Sequence, residues 1–176
     1  MKVKECRICK NDKLYTFLEL GQTPLANRFL RKEQLNLPEP SYPLDLCFCY
    51  NCGLVQLSYV VSSEVMFTNY LWVSGTSDTV PAHFQQLANE VAEIVGLSNN
   101  SLVVDAGSND GTLLKGFRNL GVKVLGIEPA TNVAKIAEEN GIETINDFFN
   151  EKIALKIVKI KGKAKVITAT NVVAHI

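Results

Sequence analysis

Four cysteines in two closely spaced pairs form the strongest chemical pattern in this sequence. Cys6 pairs with Cys9, and Cys49 pairs with Cys52, with two residues between the members of each pair. Zinc prefers a tetrahedron of soft ligands, and a C-x-x-C turn brings two thiolates within reach of one ion. Gly53, directly after Cys52, fits the tight turn expected at the second pair. Because four thiolates leave no ligand position open, the pattern predicts a structural zinc site rather than a catalytic one.

The gap between the two pairs is longer than that of most zinc fingers, with 39 residues between Cys9 and Cys49. The entropic cost of closing a loop rises only slowly with its length, so this gap is compatible with one shared ion. A fifth cysteine, Cys47, is an alternative to Cys49, but C-x-C is the less common arrangement. We expect Cys47 to be a small buried residue on the strand LDLCF. The alternative to a zinc site is that all five cysteines are incidental buried residues.

A second pattern with chemical meaning is the segment from Asp105 to Gly111, DAGSNDG, between an apolar strand and a helix. Glycines there permit a sharp turn and close approach of backbone to a ligand. A dinucleotide site would have glycine in place of Asn109, although asparagine tolerates the left-handed conformation. Glu128 ends the next strand, where an acid can bind ribose hydroxyls. Asp105 suits a sulfonium and an amino group better than a phosphate, which favours S-adenosylmethionine (SAM) over NAD.

Further candidates follow the later strands of the same region. Asp147 and Phe148 lie where a third strand ends, a position that can flank an adenine ring, although a core role for the phenylalanine is equally compatible. Asn171 and His175 follow the fourth strand, at the edge where such sheets bind ligands. The complete set of candidate cofactor-binding residues is Asp105, Gly107, Ser108, Asn109, Gly111, Glu128, Pro129, Asp147, Phe148 and Asn171.

The elements that must position these residues alternate between strand and helix from residue 101 onward. Strand segments such as LVVDA, IETIND and AKVITAT are separated by helical segments such as NEKIALKIVKIKG, and this alternation predicts a parallel sheet covered on both faces. Before them, PAHFQQLANEVAEIVG predicts one amphipathic helix that ends at Gly96. Its apolar face is predicted to contain Phe84, Leu87, Ala88, Val91, Ile94 and Val95. We therefore expect an α/β protein with a zinc-binding module at 1–60, a connecting segment at 61–100, and a partial doubly wound, Rossmann-like sheet at 101–176.

Charge and composition exclude several classes of protein. Lysine plus arginine and aspartate plus glutamate number 18 each, and 47% of residues are hydrophobic. This balance predicts a packed core and neither a nucleic-acid nor a membrane partner. The stretch MKVKECRICK contains no apolar signal-peptide core, and cysteines in metal-ligand pairs suit a reducing compartment, so we expect a cytoplasmic protein.

The chain resembles the zinc-containing, SAM-dependent sugar C-methyltransferases of deoxysugar biosynthesis. The matching segments occur in family order over nearly the whole chain: CRIC, LGQTPLANRF, YPLDLCFCYNCGLVQL, YLWVSGTS, VVDAGSNDGTLL, GIEPATNVA and VITATNVVAHI. The resemblance implies methylation of carbon 3 of a nucleotide-linked 4-keto-6-deoxy sugar. There a base removes the proton beside the ketone and the resulting enolate attacks the methyl group. It also implies a zinc ion held by Cys6, Cys9, Cys49 and Cys52.

The resemblance assigns roles to three further residues. His175 matches an active-site histidine able to stabilise the enolate oxygen, and Tyr70 and Trp72 match a substrate-binding segment. The family often has tyrosine where this chain has Trp72. Its members continue well beyond Ile176, where the best candidates for the catalytic base lie. We therefore expect this chain alone to bind zinc and SAM without turning over substrate.

Two other functions are compatible with the sequence. One is a non-catalytic zinc-ribbon interaction module fused to a nucleotide-binding fold. The other is an NAD-dependent enzyme of Rossmann type, which Asn109 disfavours because a glycine is usual there.

Overall fold

The computed structural model describes the backbone of residues 1–175 and the side chains of residues 1–174, so the His175 side chain and Ile176 lie outside the described part. The chain forms two compact units, Met1–Met66 and Phe67–Ile176. The helix of the predicted connecting segment belongs to the second unit. The predicted division into three stretches stays a prediction.

The first unit is built on a three-stranded antiparallel sheet. Its strands are β1 (Leu14–Pro24), β2 (Ser41–Cys49) and β3 (Val55–Leu57), in that order across the sheet. A 3-10 turn at Lys32–Gln34 interrupts the long β1–β2 connection, and a short helix, α1 (Ser63–Phe67), follows β3. Leu14 pairs with Cys49 and Phe48 with Val55, so the carboxyl end of β2 lies between its two neighbours.

This first unit lacks an ordinary hydrophobic core. Within residues 1–66 the buried side chains are Cys6, Cys47, Cys49 and Gln56. Large apolar side chains are exposed instead, among them Ile8, Phe17, Phe29 and Tyr50. A sheet that buries so little apolar surface needs another source of stability, and small domains commonly obtain it from a metal ion.

The second unit contains the predicted parallel sheet. Its strands are β4 (Leu102–Ala106), β5 (Lys123–Ile127), β6 (Thr144–Ile145) and β7 (Val166–Thr168). They run in the spatial order β6-β5-β4-β7, and all pairs are parallel. The order reverses beside β4, as in doubly wound folds that bind ligands at this switch point. The predicted fold class, a small cysteine-rich module followed by part of a doubly wound sheet, is confirmed.

Helices cover both faces of this sheet. They are α2 (Thr79–Val95), α3 (Thr112–Asn119), α4 (Thr131–Glu139) and α5 (Glu151–Lys161). One apolar cluster joins α2 and α3 to Val103 and Val122, and the other joins α5 to Val104 and Leu125. Alternate residues of β4 therefore pack into opposite clusters, which explains why its first three residues are all apolar.

Helix α2 agrees with its sequence pattern except in its last turn. Ala88 is buried, and Phe84, Leu87 and Val91 pack against the core. Gly96 ends the helix in the left-handed conformation, with φ 63°. Ile94 was predicted on the apolar face but is 83% exposed. Ile94 lies three residues after Val91, which places it about 60° from Val91 around the helix axis, at the margin of the apolar stripe.

Strand β6 is shorter than the predicted segment IETIND. Only Thr144 and Ile145 pair with β5. Beyond them, the Asn146 side chain donates to the carbonyls of Glu128 and Pro129 at 2.8 and 3.1 Å, which replaces ladder hydrogen bonds.

In the described residues 1–175, no helix has the length and apolar character to cross a membrane.

Gly111 is predicted to tolerate alanine poorly, for two separable reasons. Its φ is 79°, and an ideal Cβ would lie 2.8 Å from Cγ1 of Ile142, a stiff β-branched side chain in the core. We expect Gly111→Ala to reduce the free energy of unfolding by about 2–4 kcal/mol. Gly121→Ala is the matched control, because Gly121 has φ 78° and nothing within 4 Å of an ideal Cβ. It should lose only about 1 kcal/mol.

Urea unfolding of both variants measures the difference, which isolates the contact with Ile142 from the backbone strain. Equal losses for the two variants would show that Ile142 yields freely and that the packing argument is wrong.

Candidate zinc and cofactor sites

The two cysteine pairs converge on one point of the first unit. The sulfurs of Cys6, Cys9, Cys49 and Cys52 all lie within 4.8 Å of one another. Sγ of Cys6 is 3.5 Å from that of Cys52, and Sγ of Cys9 is 3.5 Å from that of Cys49. Four sulfurs at about 2.3 Å from a zinc ion form a tetrahedron with edges of about 3.8 Å. The arrangement therefore fits a four-coordinate zinc ion.

The two turns that carry the cysteines have the same backbone construction. Lys10 follows the first pair with φ 61°, and its N–H donates to the carbonyl of Cys6 at 3.0 Å. Gly53 follows the second pair with φ 75°, and its N–H donates to the carbonyl of Cys49 at 2.9 Å. The sequence pointed to the turn at Gly53. It did not predict the left-handed lysine, because only glycine and asparagine mark that conformation.

Hydrogen bonds onto the sulfurs favour the thiolate form that binds metal. The backbone N–H of Cys9 lowers the pKa of Cys6, and the side chain of Asn51 lowers the pKa of Cys9 to about 6. The Leu54 N–H also lowers the pKa of Cys52. The Cys9 sulfur and burial together have a larger, opposite effect and raise the pKa of Cys52 to about 12. A divalent cation bound at this point would favour deprotonation of the sulfurs that ligate it.

Cys47 is separate from the four ligands. It is 2% exposed, and its Sγ donates to the carbonyl of Gln56 at 3.4 Å. Burial raises its pKa, so it stays a neutral thiol, as expected for a small buried residue. Gln56 was not singled out by the sequence. Its side chain accepts from the N–H of Arg7 at 3.0 Å and donates to the carbonyl of Glu5 at 3.3 Å, which holds the first cysteine turn against β3.

The cofactor-binding candidates of the second unit lie at the carboxyl ends of β4 and β5. The loop after β4 has three residues in the left-handed region: Gly107, Asn109 and Gly111, with φ 69°, 53° and 79°. The N–H groups of Gly107 and Ser108 both donate to the carbonyl of Ile127, at 2.8 and 3.1 Å. The turn therefore keeps its glycine-like conformation at Asn109, as the sequence predicted.

Asp105 is a buried carboxyl group at the end of β4. It is 3% exposed, and its Oδ1 accepts from Oγ1 of Thr168 at 2.7 Å. Burial raises the pKa of Asp105 to about 7, with a further contribution from the nearby charge of Glu128, against the lowering effect of the Thr168 hydroxyl. A cation placed beside this carboxyl group would favour its ionised form.

Glu128 is held by the backbone on both sides. Its Oε2 accepts from the N–H of Asn109 and its Oε1 from the N–H of Ala130, each at 2.8 Å. Burial raises the pKa of Glu128, and these two N–H groups oppose that shift. Each carboxylate oxygen has a second lone pair, so both can accept another hydrogen bond.

Packing accounts for several of the small residues in the loop. An ideal Cβ on Gly107 would lie 2.5 Å from Cγ2 of Val172, the residue after Asn171. Ser108 is buried with its Oγ towards β5, where an ideal Cβ on Gly126 would lie 2.5 Å away. Among the described residues, Oγ of Ser108 has no hydrogen-bond partner. Its assignment as a cofactor ligand stays a prediction.

A segment ahead of α2 lies directly on the loop, and we call residues 68–77 the strap. The N–H of Ser74 donates to Oδ1 of Asn109 at 2.9 Å, and the N–H of Gly75 donates to Oδ2 of Asp110 at 2.8 Å. Nδ2 of Asn109 donates to the carbonyl of Trp72 at 3.0 Å. The sequence resemblance indicated Tyr70 and Trp72 but not these anchors, because the contacts join residues 35 or more positions apart.

The strap has a second anchor on α4. Asn132 accepts from the N–H of Tyr70 at 3.0 Å and donates to the Tyr70 carbonyl at 2.6 Å. Tyr70 is half-buried, whereas Trp72 is 60% exposed.

The remaining candidates stand at the same edge of the sheet with fewer contacts. Oδ1 of Asp147 accepts from the N–H of Phe148 at 2.7 Å, and Phe148 is half-buried. Pro129 is half-buried beside Glu128, and Asn171 is exposed with φ 57°. The side chain of His175 lies outside the described residues, so its predicted catalytic role stays a prediction.

Comparisons with known proteins bear on both parts of the chain. Residues 6–67 match the family Methyltransf_13, described as "Putative zinc binding domain". The C-methyltransferase NovU of Streptomyces niveus is 34% identical over 174 residues, which cover 99% of this chain and 41% of that protein. The chain therefore spans less than half the length of this relative.

A solved structure is also similar, although more distantly. It is the crystal structure of magnesium protoporphyrin IX methyltransferase (ChlM) from Synechocystis PCC 6803 with bound SAM. It is 19% identical with a TM-score of 0.39, over 56% of this chain and 49% of that one. At that level we infer neither fold nor ligand from it. The chain is therefore similar to part of a C-methyltransferase, and its segment 6–67, which carries the four converging cysteines, is similar to the zinc binding domains of the Methyltransf_13 family.

Proposed function

We propose that this chain is the zinc-binding and SAM-binding part of a C-methyltransferase that acts on a nucleotide-linked 4-keto deoxysugar. The observation that carries the cofactor assignment is the pair of buried acids, Asp105 and Glu128, at the ends of adjacent strands. Two acids at a switch point disfavour the phosphates of a dinucleotide and favour a ligand with cationic groups and hydroxyls. The 34% identity to a C-methyltransferase supports the same assignment.

In this proposal each part of the chain has a separate task. Zinc bound by Cys6, Cys9, Cys49 and Cys52 stabilises the first unit and takes no part in the chemistry. SAM, when bound, supplies an electrophilic methyl group for a carbon nucleophile. The Asp105 carboxylate faces its cationic groups, and the free lone pairs of Glu128 accept from the ribose hydroxyls.

The substrate side of the proposal rests on fewer residues. Tyr70 and Trp72 contribute to binding of the nucleotide sugar, Asp147 and Phe148 flank the adenine of the cofactor, and Asn171 lies at the same edge. His175 stabilises negative charge on the substrate oxygen. The nucleotide sugar is the proposed partner, and the proposed location is the cytoplasm.

Calorimetric titration of the zinc-loaded chain with SAM, S-adenosylhomocysteine and NADH tests the cofactor assignment. We expect both adenosyl compounds to bind with dissociation constants in the micromolar range, about −8 kcal/mol at 1 μM, and NADH to bind far more weakly. SAM should bind with net release of protons below pH 7, because a cationic ligand lowers the pKa of Asp105. Tight NADH binding without SAM binding would make the chain a dinucleotide-binding domain and overturn the proposal.

A further inference from the structure

Asn109 joins the cofactor loop to the strap and also contacts Glu128, whereas the neighbouring Asp110 contacts the strap only at Gly75. Its backbone N–H donates to Oε2 of Glu128 at 2.8 Å. Its side chain accepts from the N–H of Ser74 at 2.9 Å and donates to the carbonyl of Trp72 at 3.0 Å. One residue therefore links the acid assigned to the cofactor ribose with the segment assigned to the substrate.

The backbone conformation makes this link specific to asparagine. Asn109 has φ 53°, a conformation in which glycine is unstrained and asparagine is the best-tolerated residue with a side chain. Glycine, the usual residue of a dinucleotide loop at this position, would keep the turn and the bond to Glu128. It would remove both side-chain bonds to the strap. The side chain of Asn109 thus adds a function that the turn itself does not require.

We propose that Asn109 is a positioning residue that transmits occupancy of the cofactor site to the strap and thereby sets the position of Trp72. The inference rests on the proposed function, since it takes Glu128 as the ribose-binding acid. A ligand hydroxyl bound to Glu128 holds that carboxylate and the Asn109 backbone in place. The Asn109 side chain then holds the strap at Trp72 and Ser74. The hydrogen bonds between Asn132 and Tyr70 anchor the other end of the strap independently of the loop.

The chain contains one tryptophan, and it lies on the strap, so its fluorescence reports the strap alone. We would measure acrylamide quenching of Trp72 with and without saturating S-adenosylhomocysteine, which cannot donate a methyl group. Binding is measured separately by calorimetry. In the unmodified chain we expect the ligand to reduce quenching of Trp72.

Three variants separate coupling from binding. Asn109→Gly should still bind S-adenosylhomocysteine, at most about tenfold more weakly, the factor that corresponds to about 1.4 kcal/mol or one net hydrogen bond. Its ligand-dependent protection of Trp72 should be lost. Asn109→Asp keeps the acceptor for the Ser74 N–H and should keep part of the protection. Asn100→Gly, the same substitution in an exposed turn, should behave as the unmodified chain does.

The outcomes distinguish the two proposals. Absence of S-adenosylhomocysteine binding by the unmodified chain would overturn the proposed function. Binding with full protection of Trp72 in Asn109→Gly would leave that function standing and overturn the positioning role. Binding without any change of Trp72 quenching in the unmodified chain would also overturn the positioning role.

Discussion

Replacing Cys49 by alanine is expected to unfold the first unit, residues 1–66, and to abolish zinc binding. The buried side chains of this unit are three cysteines and one glutamine, so little apolar burial remains to hold the sheet once the metal site is broken. Binding of a structural zinc ion supplies about 10 kcal/mol or more of folding free energy, which exceeds the stability of most small domains. Removal of zinc from the unmodified chain by a chelator should have the same effect.

Cys47→Ala is the matched control, because Cys47 lies two residues away on the same strand and is 2% exposed, against 0% for Cys49. It should keep one zinc ion per chain and lose on the order of 1 kcal/mol, for a small truncation and one weak hydrogen bond. Atomic absorption measures the zinc content of each variant, and limited proteolysis measures the unfolding of residues 1–66. Loss of zinc in Cys47→Ala but not in Cys49→Ala would reverse the ligand assignment. A fully folded, metal-free Cys49→Ala chain would contradict the structural role of zinc.

Asp105→Asn is expected to weaken SAM binding while making the second unit more stable at neutral and alkaline pH. Asparagine preserves an acceptor for the Thr168 hydroxyl but carries no charge to face a sulfonium or an amino group. We expect the affinity for SAM to fall about 100-fold, a cost typical of removing one member of a buried charge pair. The gain in stability should be on the order of 1–3 kcal/mol, because an ionised carboxylate no longer has to be buried.

The pH dependence of unfolding checks the same argument. Burial raises the pKa of Asp105 to about 7 in the folded chain, whereas an unfolded aspartate titrates near its ordinary value. Between these two values the folded state holds a proton that the unfolded state has released, so Asp105 makes the free energy of unfolding fall as the pH rises. Below both values, and above both, its contribution is constant.

Between about pH 4 and pH 7, the free energy of unfolding of the Asp105→Asn chain should therefore fall less steeply with rising pH than that of the unmodified chain. Urea unfolding at several pH values measures this difference. Asp12→Asn, a substitution of the same type in the other unit, is the control for the loss of one carboxylate. If Asp105→Asn bound SAM as tightly as the unmodified chain at pH 8, the carboxylate would have no role in cofactor binding.

Local pattern determined the elements and the ligand set of this protein. Two C-x-x-C pairs indicated the four sulfurs that the structure places within 4.8 Å of one another, because soft-ligand chemistry and turn geometry are both short-range properties. Apolar runs and caps likewise located β4, α2 and α5, including Gly96 at the end of α2. Asparagine at position 109 predicted a left-handed residue, since few other side chains accept that conformation.

Tertiary structure alone decided which groups meet. The bonds from the strap to Asn109 and Asp110 join residues far apart in the chain, and no local pattern marks Ser74 or Gly75 as donors. The pKa of about 7 at Asp105 depends on burial, which its place on β4 suggested only in part. The glycines at 107 and 111 were expected to serve a ligand. The structure shows that Val172 and Ile142 also require them, because a Cβ at either position would enter space that these side chains occupy.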